Sequence, residues 1–86
     1  MCATCDPWHV AVAVATPVAW RAQVERVQAA IAEDELEVVE GPRPETDRPA
    51  GARKHVLQCT RCAQLFILEA GGCHLSGDRW RPLHGN

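Results

Sequence analysis

Two cysteine pairs of identical spacing constrain this chain more than any other feature of its sequence. Cys2 and Cys5 form one Cys-x-x-Cys pair, and Cys59 and Cys62 form a second, with residues 6–58 between them. Two residues between cysteines allow both thiolates of one tight turn to reach the same metal ion, and two such turns supply the four sulfurs of a tetrahedral zinc site. We therefore expect one structural Zn²⁺ with these four cysteines as its ligands.

The small size of the chain agrees with this expectation. With 86 residues the chain has room for a single domain spanning 1–86. Domains below about 70–80 residues often need a metal ion or disulfides besides their apolar core, and this chain lies just above that length. The chain has five cysteines, an odd number that cannot pair completely in disulfides. The two pairs leave Cys73 as a spare thiol, and zinc binding would contribute directly to folding.

Other assignments of the cysteines remain open. Cys73 or His74 could replace an N-terminal ligand, because both follow the second pair within a short distance, and His9 is a further substitute. One pair could instead be a redox dithiol, although a thioredoxin-like pair stands at a helix N-terminus, whereas Cys59 leads into a predicted strand. The cysteines could also be unligated, or one pair could be oxidised.

The periodicity of apolar residues predicts a first strand followed along the chain by one helix. Residues Trp8–Val14 alternate bulky and small side chains, which is typical of a strand. Thr16 and Pro17 then resemble a helix start, with an N-cap residue followed by proline. A predicted helix runs from Pro17 to Glu33, and its apolar face is formed by Trp20, Val24, Val27 and Ile31.

The rest of the chain is predicted to be strands and turns. Leu36–Glu40 is a short second strand, and residues 41–53, rich in proline and glycine, are a flexible loop. His55–Gln58 and Ala63–Glu69 flank the second cysteine pair as the two arms of a hairpin. Trp80–Leu83 is a final edge strand, where its proline is tolerated.

The hairpin Leu57–Phe66 resembles the knuckle of zinc-ribbon proteins, in which a Cys-x-x-Cys joins two strands and is commonly followed by glycine. Ala63 departs from that glycine. The segment from His74 through Ser76-Gly77 to Trp80 and Pro82 is also similar to the C-terminal end of small bacterial proteins of uncharacterised function. The resemblance is confined to these segments and implies no activity, because zinc ribbons serve nucleic acids, protein partners and stability alike.

The predicted fold class is therefore α+β, with one amphipathic helix packed on a small antiparallel sheet and a zinc-ribbon-like knuckle site of four cysteines. The net charge of −2 argues against a general nucleic-acid binder. We expect a protein–protein interaction or regulatory module whose partner is another protein. A redox or metal-handling dithiol protein is one alternative. The other is a nucleic-acid-binding zinc ribbon that uses the basic C-terminal half, with Arg53, Lys54, Arg61, Arg79 and Arg81.

No set of residues predicts an enzyme. Four thiolates leave no open position on zinc for a reacting water, and His74, Ser76 and Asp78 fit an ordinary turn. The start of the chain lacks the basic and apolar regions of a signal peptide. Its apolar runs are also too short for a membrane helix, so we expect a cytoplasmic protein with no membrane partner. The resemblance to small bacterial proteins implies that its source is a bacterium.

Overall fold

The computed structural model describes residues 5–47, 52–71 and 78–83, in which one helix packs on a five-stranded antiparallel sheet. The elements in chain order are a 3₁₀ helix at Asp6–His9, β1 (Val12–Ala13), α1 (Pro17–Ala32), β2 (Leu36–Glu40), β3 (Ala52–Cys59), β4 (Leu65–Gly71) and β5 (Arg79–Leu83). The strand order is β1-β5-β4-β3-β2, with every neighbouring pair antiparallel. The predicted α+β class is confirmed.

Helix α1 begins where its capping residues predict. The Thr16 hydroxyl accepts a hydrogen bond from the Ala19 N–H at 3.1 Å, and Pro17 occupies the first turn, where no N–H partner is needed. The helix ends at Ala32, one residue before the predicted Glu33. Sequence alone therefore locates this element to within a residue.

The apolar core lies between α1 and one face of the sheet. Trp20, Val24 and Val27 are fully buried, and Ile31 packs against them while partly exposed. Alternate strand positions supply the opposite layer, because successive side chains of a strand point to opposite faces. These sheet residues include Leu36, Leu57, Phe66, Leu68 and Trp80.

The predicted strand over Trp8–Val14 is wrong for most of its length. Asp6–His9 is a 3₁₀ helix with Pro7 in its first turn, and only Val12–Ala13 pair with the sheet. The backbone carbonyl of Trp8 accepts a hydrogen bond from the indole N–H of Trp80 at 2.8 Å. This tertiary contact and the proline outweigh the local alternation of side-chain size.

Strand β5 is not an edge strand of the sheet, contrary to the prediction. It lies between β4 and β1, and β1 pairs only with Arg79 and Trp80. Pro82 is nevertheless accommodated, because β1 is too short to reach it and no hydrogen bond to its missing N–H is lost on that side.

The predicted loop 41–53 is described as far as Asp47, and β3 begins at Ala52, so Arg53 lies in a strand. Gly41 opens the loop with φ +82°, and a Cβ placed on it would clash with the carbonyl oxygen of Lys54. Glycine is required at this position. The flexibility of the segment stays a prediction.

Candidate metal centre

Three of the four predicted ligands lie together. The Sγ atoms of Cys5, Cys59 and Cys62 are all within 4.8 Å of one another, and those of Cys5 and Cys62 are 3.4 Å apart. Zn–S bonds of about 2.3 Å in a tetrahedral site set neighbouring sulfurs about 3.8 Å apart. The cluster therefore has the dimensions that a metal ion needs, and the three cysteines could hold one.

The three sulfurs come from two distant parts of the chain. Cys5 immediately precedes the 3₁₀ helix, whereas Cys59 ends β3 and Cys62 lies in the turn that follows. Cys5 and Cys59 are buried, each 1% exposed, while Cys62 is exposed. A metal here would be embedded on the side of the core and reachable from solvent at Cys62.

The turn after β3 is shaped around the Cys59 sulfur. The Arg61 N–H donates to Cys59 Sγ at 3.4 Å, a contact that strengthens when the sulfur is a metal-bound thiolate. The turn is closed by two backbone bonds of 2.9 Å, from the Ala63 N–H to the Cys59 carbonyl and from the Cys59 N–H to the Gln64 carbonyl. Ala63 has φ 67°, in the left-handed region that suits glycine. Ala63, which stands where zinc-ribbon knuckles commonly have glycine, therefore has a backbone conformation that costs free energy in a residue with a Cβ.

The C-terminus of α1 supports this turn. Asp34 adopts φ 60°, and the N–H groups of Asp34 and Glu35 bond to the carbonyls of Ile31 and Ala30, which is a Schellman cap. Thr60 then donates its hydroxyl to the Asp34 carbonyl and its N–H to the Glu35 carbonyl. Sequence reasoning did not identify Thr60 as a supporting residue, because its partners lie on a distant element.

Electrostatics at the cluster favours protonated sulfur when no metal is present. Burial, together with the neighbouring thiols of Cys62 and Cys59, raises the pKa of Cys5 to about 12. A metal must displace this proton to bind, so its affinity increases with pH. The raised pKa of Cys5 is the opposite of what a reactive redox cysteine requires.

Of the candidates for the fourth ligand, His9 is the one that lies in the described part of the chain. Cys2, Cys73 and His74 lie outside the described residues. His9 places Nε2 3.4 Å from Cys5 Sγ, close to the roughly 3.6 Å expected between nitrogen and sulfur on one zinc. Within the described part of the chain, however, the donor atoms that all lie within 4.8 Å of one another are the three sulfurs alone.

An aromatic cluster borders the cysteines. The Phe66 and Trp80 rings stack with centroids 5.4 Å apart, and Trp8 packs on Trp80 at 5.2 Å. The edge of the His9 ring meets Phe66, also at 5.2 Å. His9 is thus held between a ring and a sulfur, an arrangement that neither its spacing nor its neighbours in the sequence indicated.

Of the basic residues of the nucleic-acid alternative, Lys54, Arg79 and Arg81 lie on one face of the sheet, because Lys54 and Arg79 both pair in register with Glu69 and Arg81 is two positions from Arg79. Arg53 and Lys54 are neighbours on β3 and so point to opposite faces. Lys54 pairs with Glu40 at 3.7 Å, and Arg81 pairs with Glu69 at 3.3 Å. The exposed Arg61 lies in the cysteine turn, and Arg79 lies on β5.

Comparison of the chain with protein-family models, curated proteins and solved structures finds no match. Among the described helices, none has both the length and the apolar character needed to cross a membrane.

Proposed function

We propose that this chain is a small structural-zinc domain that acts as a protein–protein interaction or regulatory module. The observation that carries the proposal is the convergence of the sulfurs of Cys5, Cys59 and Cys62. Sulfur donors at tetrahedral spacing favour zinc among the common divalent ions. Cys2 is the fourth ligand expected from its spacing to Cys5, and His9 is the described alternative.

A structural role for the zinc follows from what it would join. The N-terminal segment contacts the sheet through β1, which pairs through two residues, and through the contact of Trp8 with Trp80. A metal bound to Cys5 and to the β3–β4 turn would tie that segment to the longest hairpin of the sheet. The free energy of metal binding would then contribute to the free energy of folding. In small zinc domains, metal binding supplies on the order of 10–16 kcal/mol.

Metal content is the direct test. Protein purified under reducing conditions should contain about one zinc per chain by elemental analysis. Cys5→Ser and Cys59→Ser should each lose zinc and unfold at lower temperature. Cys73→Ser should keep both if Cys73 is the spare thiol, and loss of zinc in this variant would assign the fourth position to Cys73. Two results would overturn the proposal: purified protein that contains no zinc, or a melting temperature that chelation leaves unchanged.

The fourth ligand is tested by two further variants. If Cys2 completes the site, Cys2→Ser weakens zinc binding strongly and His9→Ala has a small effect. The reverse result assigns the position to His9, and zinc binding that neither change weakens favours Cys73 or His74. Protein loaded with Co²⁺ distinguishes Cys2 from His9 as the fourth ligand, because the intensity of the thiolate-to-cobalt charge-transfer absorption increases with the number of thiolate ligands.

The interaction role requires a separate experiment. Zinc-loaded protein should cross-link to a specific protein partner in a bacterial extract, and chelation should abolish the cross-link. Binding of duplex DNA or RNA that falls steeply with salt, and is lost in Arg79→Ala and Arg81→Ala, would instead support the nucleic-acid alternative.

A further inference from the structure

One sulfur of the candidate metal centre faces solvent. Cys62 is exposed, whereas Cys5 and Cys59 are each 1% exposed. The two neighbours of Cys62 in the turn, Arg61 and Ala63, are exposed as well. A small oxidant therefore reaches Cys62 first, because the oxidation of a thiolate follows its accessibility.

A second sulfur lies in contact with the exposed one. The Sγ atoms of Cys5 and Cys62 are 3.4 Å apart, and a disulfide bond would bring them to about 2.05 Å. Cysteines that sense oxidants combine an accessible thiolate with a neighbouring cysteine that resolves its oxidised form. Cys5 has the position of this resolving partner.

Backbone hydrogen bonds hold the two sulfurs side by side without the help of a metal. The Trp8 N–H donates to the Cys5 carbonyl at 2.9 Å, and the Trp8 carbonyl accepts from the indole N–H of Trp80 at 2.8 Å. Both tryptophans are buried. On the other side, the turn that carries Cys62 is closed by the two backbone bonds of Cys59. The exposed Cys62 side chain can therefore turn towards a Cys5 that is fixed in place.

We propose that Cys62 and Cys5 form a site of oxidation by hydrogen peroxide, and that the product is a disulfide between them. This inference rests on the proposed zinc site, because the same sulfurs are its ligands and metal binding keeps them as thiolates. The disulfide takes two sulfurs away from the site, so the oxidised chain no longer holds the metal.

The oxidation has two steps. The Cys62 thiolate attacks one peroxide oxygen, so that an S–O bond forms, the O–O bond breaks and hydroxide leaves. The Cys5 thiolate then attacks the Cys62 sulfur, so that the S–S bond forms, the S–O bond breaks and a second hydroxide leaves. The two thiolates lose two electrons and the peroxide gains them. Two protons from solvent convert the hydroxides to water.

The disulfide replaces the metal as the link between the N-terminal segment and the β3–β4 turn. It joins positions 57 apart in the chain, and a cross-link that closes a long loop restricts the unfolded chain more than one that closes a short loop. A disulfide between Cys59 and Cys62 would lie within one turn and would leave the N-terminal segment unlinked. The oxidised chain is therefore expected to stay folded without zinc.

Disulfide mapping of the wild-type chain tests the proposal. Zinc-loaded protein is treated with an equimolar amount of hydrogen peroxide, its remaining thiols are alkylated, and it is digested with trypsin. Cleavage after arginine and lysine puts Cys5, Cys59 and Cys62 in three different peptides, 1–21, 55–61 and 62–79. The expected product joins 1–21 to 62–79, with fragment ions that locate the bond at Cys5 and Cys62, and Cys59 is alkylated. A bond at any other cysteine, a bond between two chains, or no disulfide would overturn the proposal.

Zinc content and melting temperature are measured before and after the peroxide treatment. The oxidised protein should have released its zinc, and a chelator should leave its melting temperature unchanged until a reductant is added. An oxidised protein that melts like the reduced, chelated chain would contradict the idea that the disulfide replaces the metal. Absence of zinc before peroxide is added contradicts the metal proposal, whereas a wrong disulfide in zinc-loaded protein contradicts this inference alone.

Brief alkylation identifies the first sulfur to react. Zinc-loaded protein treated with iodoacetamide should carry at least about tenfold more label on Cys62 than on Cys59. Equal labelling of the two would show that Cys62 is not the preferred site of attack. After peroxide treatment, Cys62→Ser should lack the cross-link between 1–21 and 62–79, and the matched variant Cys73→Ser should retain it.

Discussion

Replacement of Ala63 by glycine should stabilise the protein. Ala63 has φ 67°, and the left-handed region costs a residue with a Cβ about 1–2 kcal/mol. Its side chain is exposed, so its removal loses no buried surface. Glycine gives back about 0.5–1 kcal/mol through the greater freedom of the unfolded chain. The expected net gain in unfolding free energy is about 0.5–1 kcal/mol.

Urea and thermal unfolding of the zinc-loaded protein measure this gain. For a domain of this length, the melting temperature should rise by about 3–6 °C. Ala63→Val is the opposing variant, because a β-branched side chain is strongly disfavoured at positive φ, and it should destabilise the protein. The wild type and both variants can form the same backbone hydrogen bonds, from the residue 63 N–H to the Cys59 carbonyl and from the Cys59 N–H to the Gln64 carbonyl.

Asp34→Gly is the matched control for this prediction. Asp34 also has a positive φ, 60°, but aspartate visits the left-handed region more readily than alanine does. The glycine gain should therefore be smaller there. A neutral or destabilising Ala63→Gly, or an equal gain at both positions, would refute the reasoning that backbone strain is concentrated in the cysteine turn.

Three other perturbations have defined outcomes. Gly41→Ala should destabilise the chain by more than about 1 kcal/mol in urea unfolding, because its Cβ would meet the Lys54 carbonyl at positive φ; a wild-type midpoint would contradict this. Leu57→Ala, in the fully buried core, should cost about 2–5 kcal/mol, whereas Val39→Ala at 46% exposure should cost under about 0.5 kcal/mol. In metal-free protein, the folded pKa of Cys5 lies above its usual value of 9.0, at about 12. The resulting stability is present below about pH 9 and is lost as the pH rises towards about 12. Cys5→Ala should flatten this part of the pH–stability curve, and an unchanged slope would argue against the burial of the thiol.

Elements governed by local rules were predicted well. The start of α1 follows from Thr16 and Pro17, and the Leu36–Glu40 strand has the predicted bounds. The hairpin around Cys59 and Cys62 forms as its spacing indicates. Each of these depends on residues within a few positions of one another, where capping, proline geometry and alternation act directly.

Elements governed by distant contacts were predicted poorly. The alternation over Trp8–Val14 favoured a strand, but the contact of Trp8 with Trp80 turns this segment into a 3₁₀ helix and a two-residue strand. Strand β5 was placed at the sheet edge because nothing in the sequence shows that β1 pairs beside it.

The spacing of the cysteines predicts the chemistry of the site, because the two cysteines of each pair can reach the same metal, and three of these four cysteines lie together in the structure. The packing of the helix against the sheet brings Cys5 to Cys59 and Cys62 and places Thr60 on the end of α1. Thr60 is 26 positions from Asp34, and Cys62 is 57 positions from Cys5. Spacing within a turn fixes the reach of its own side chains, whereas contacts between such distant positions depend on how the helix and sheet pack.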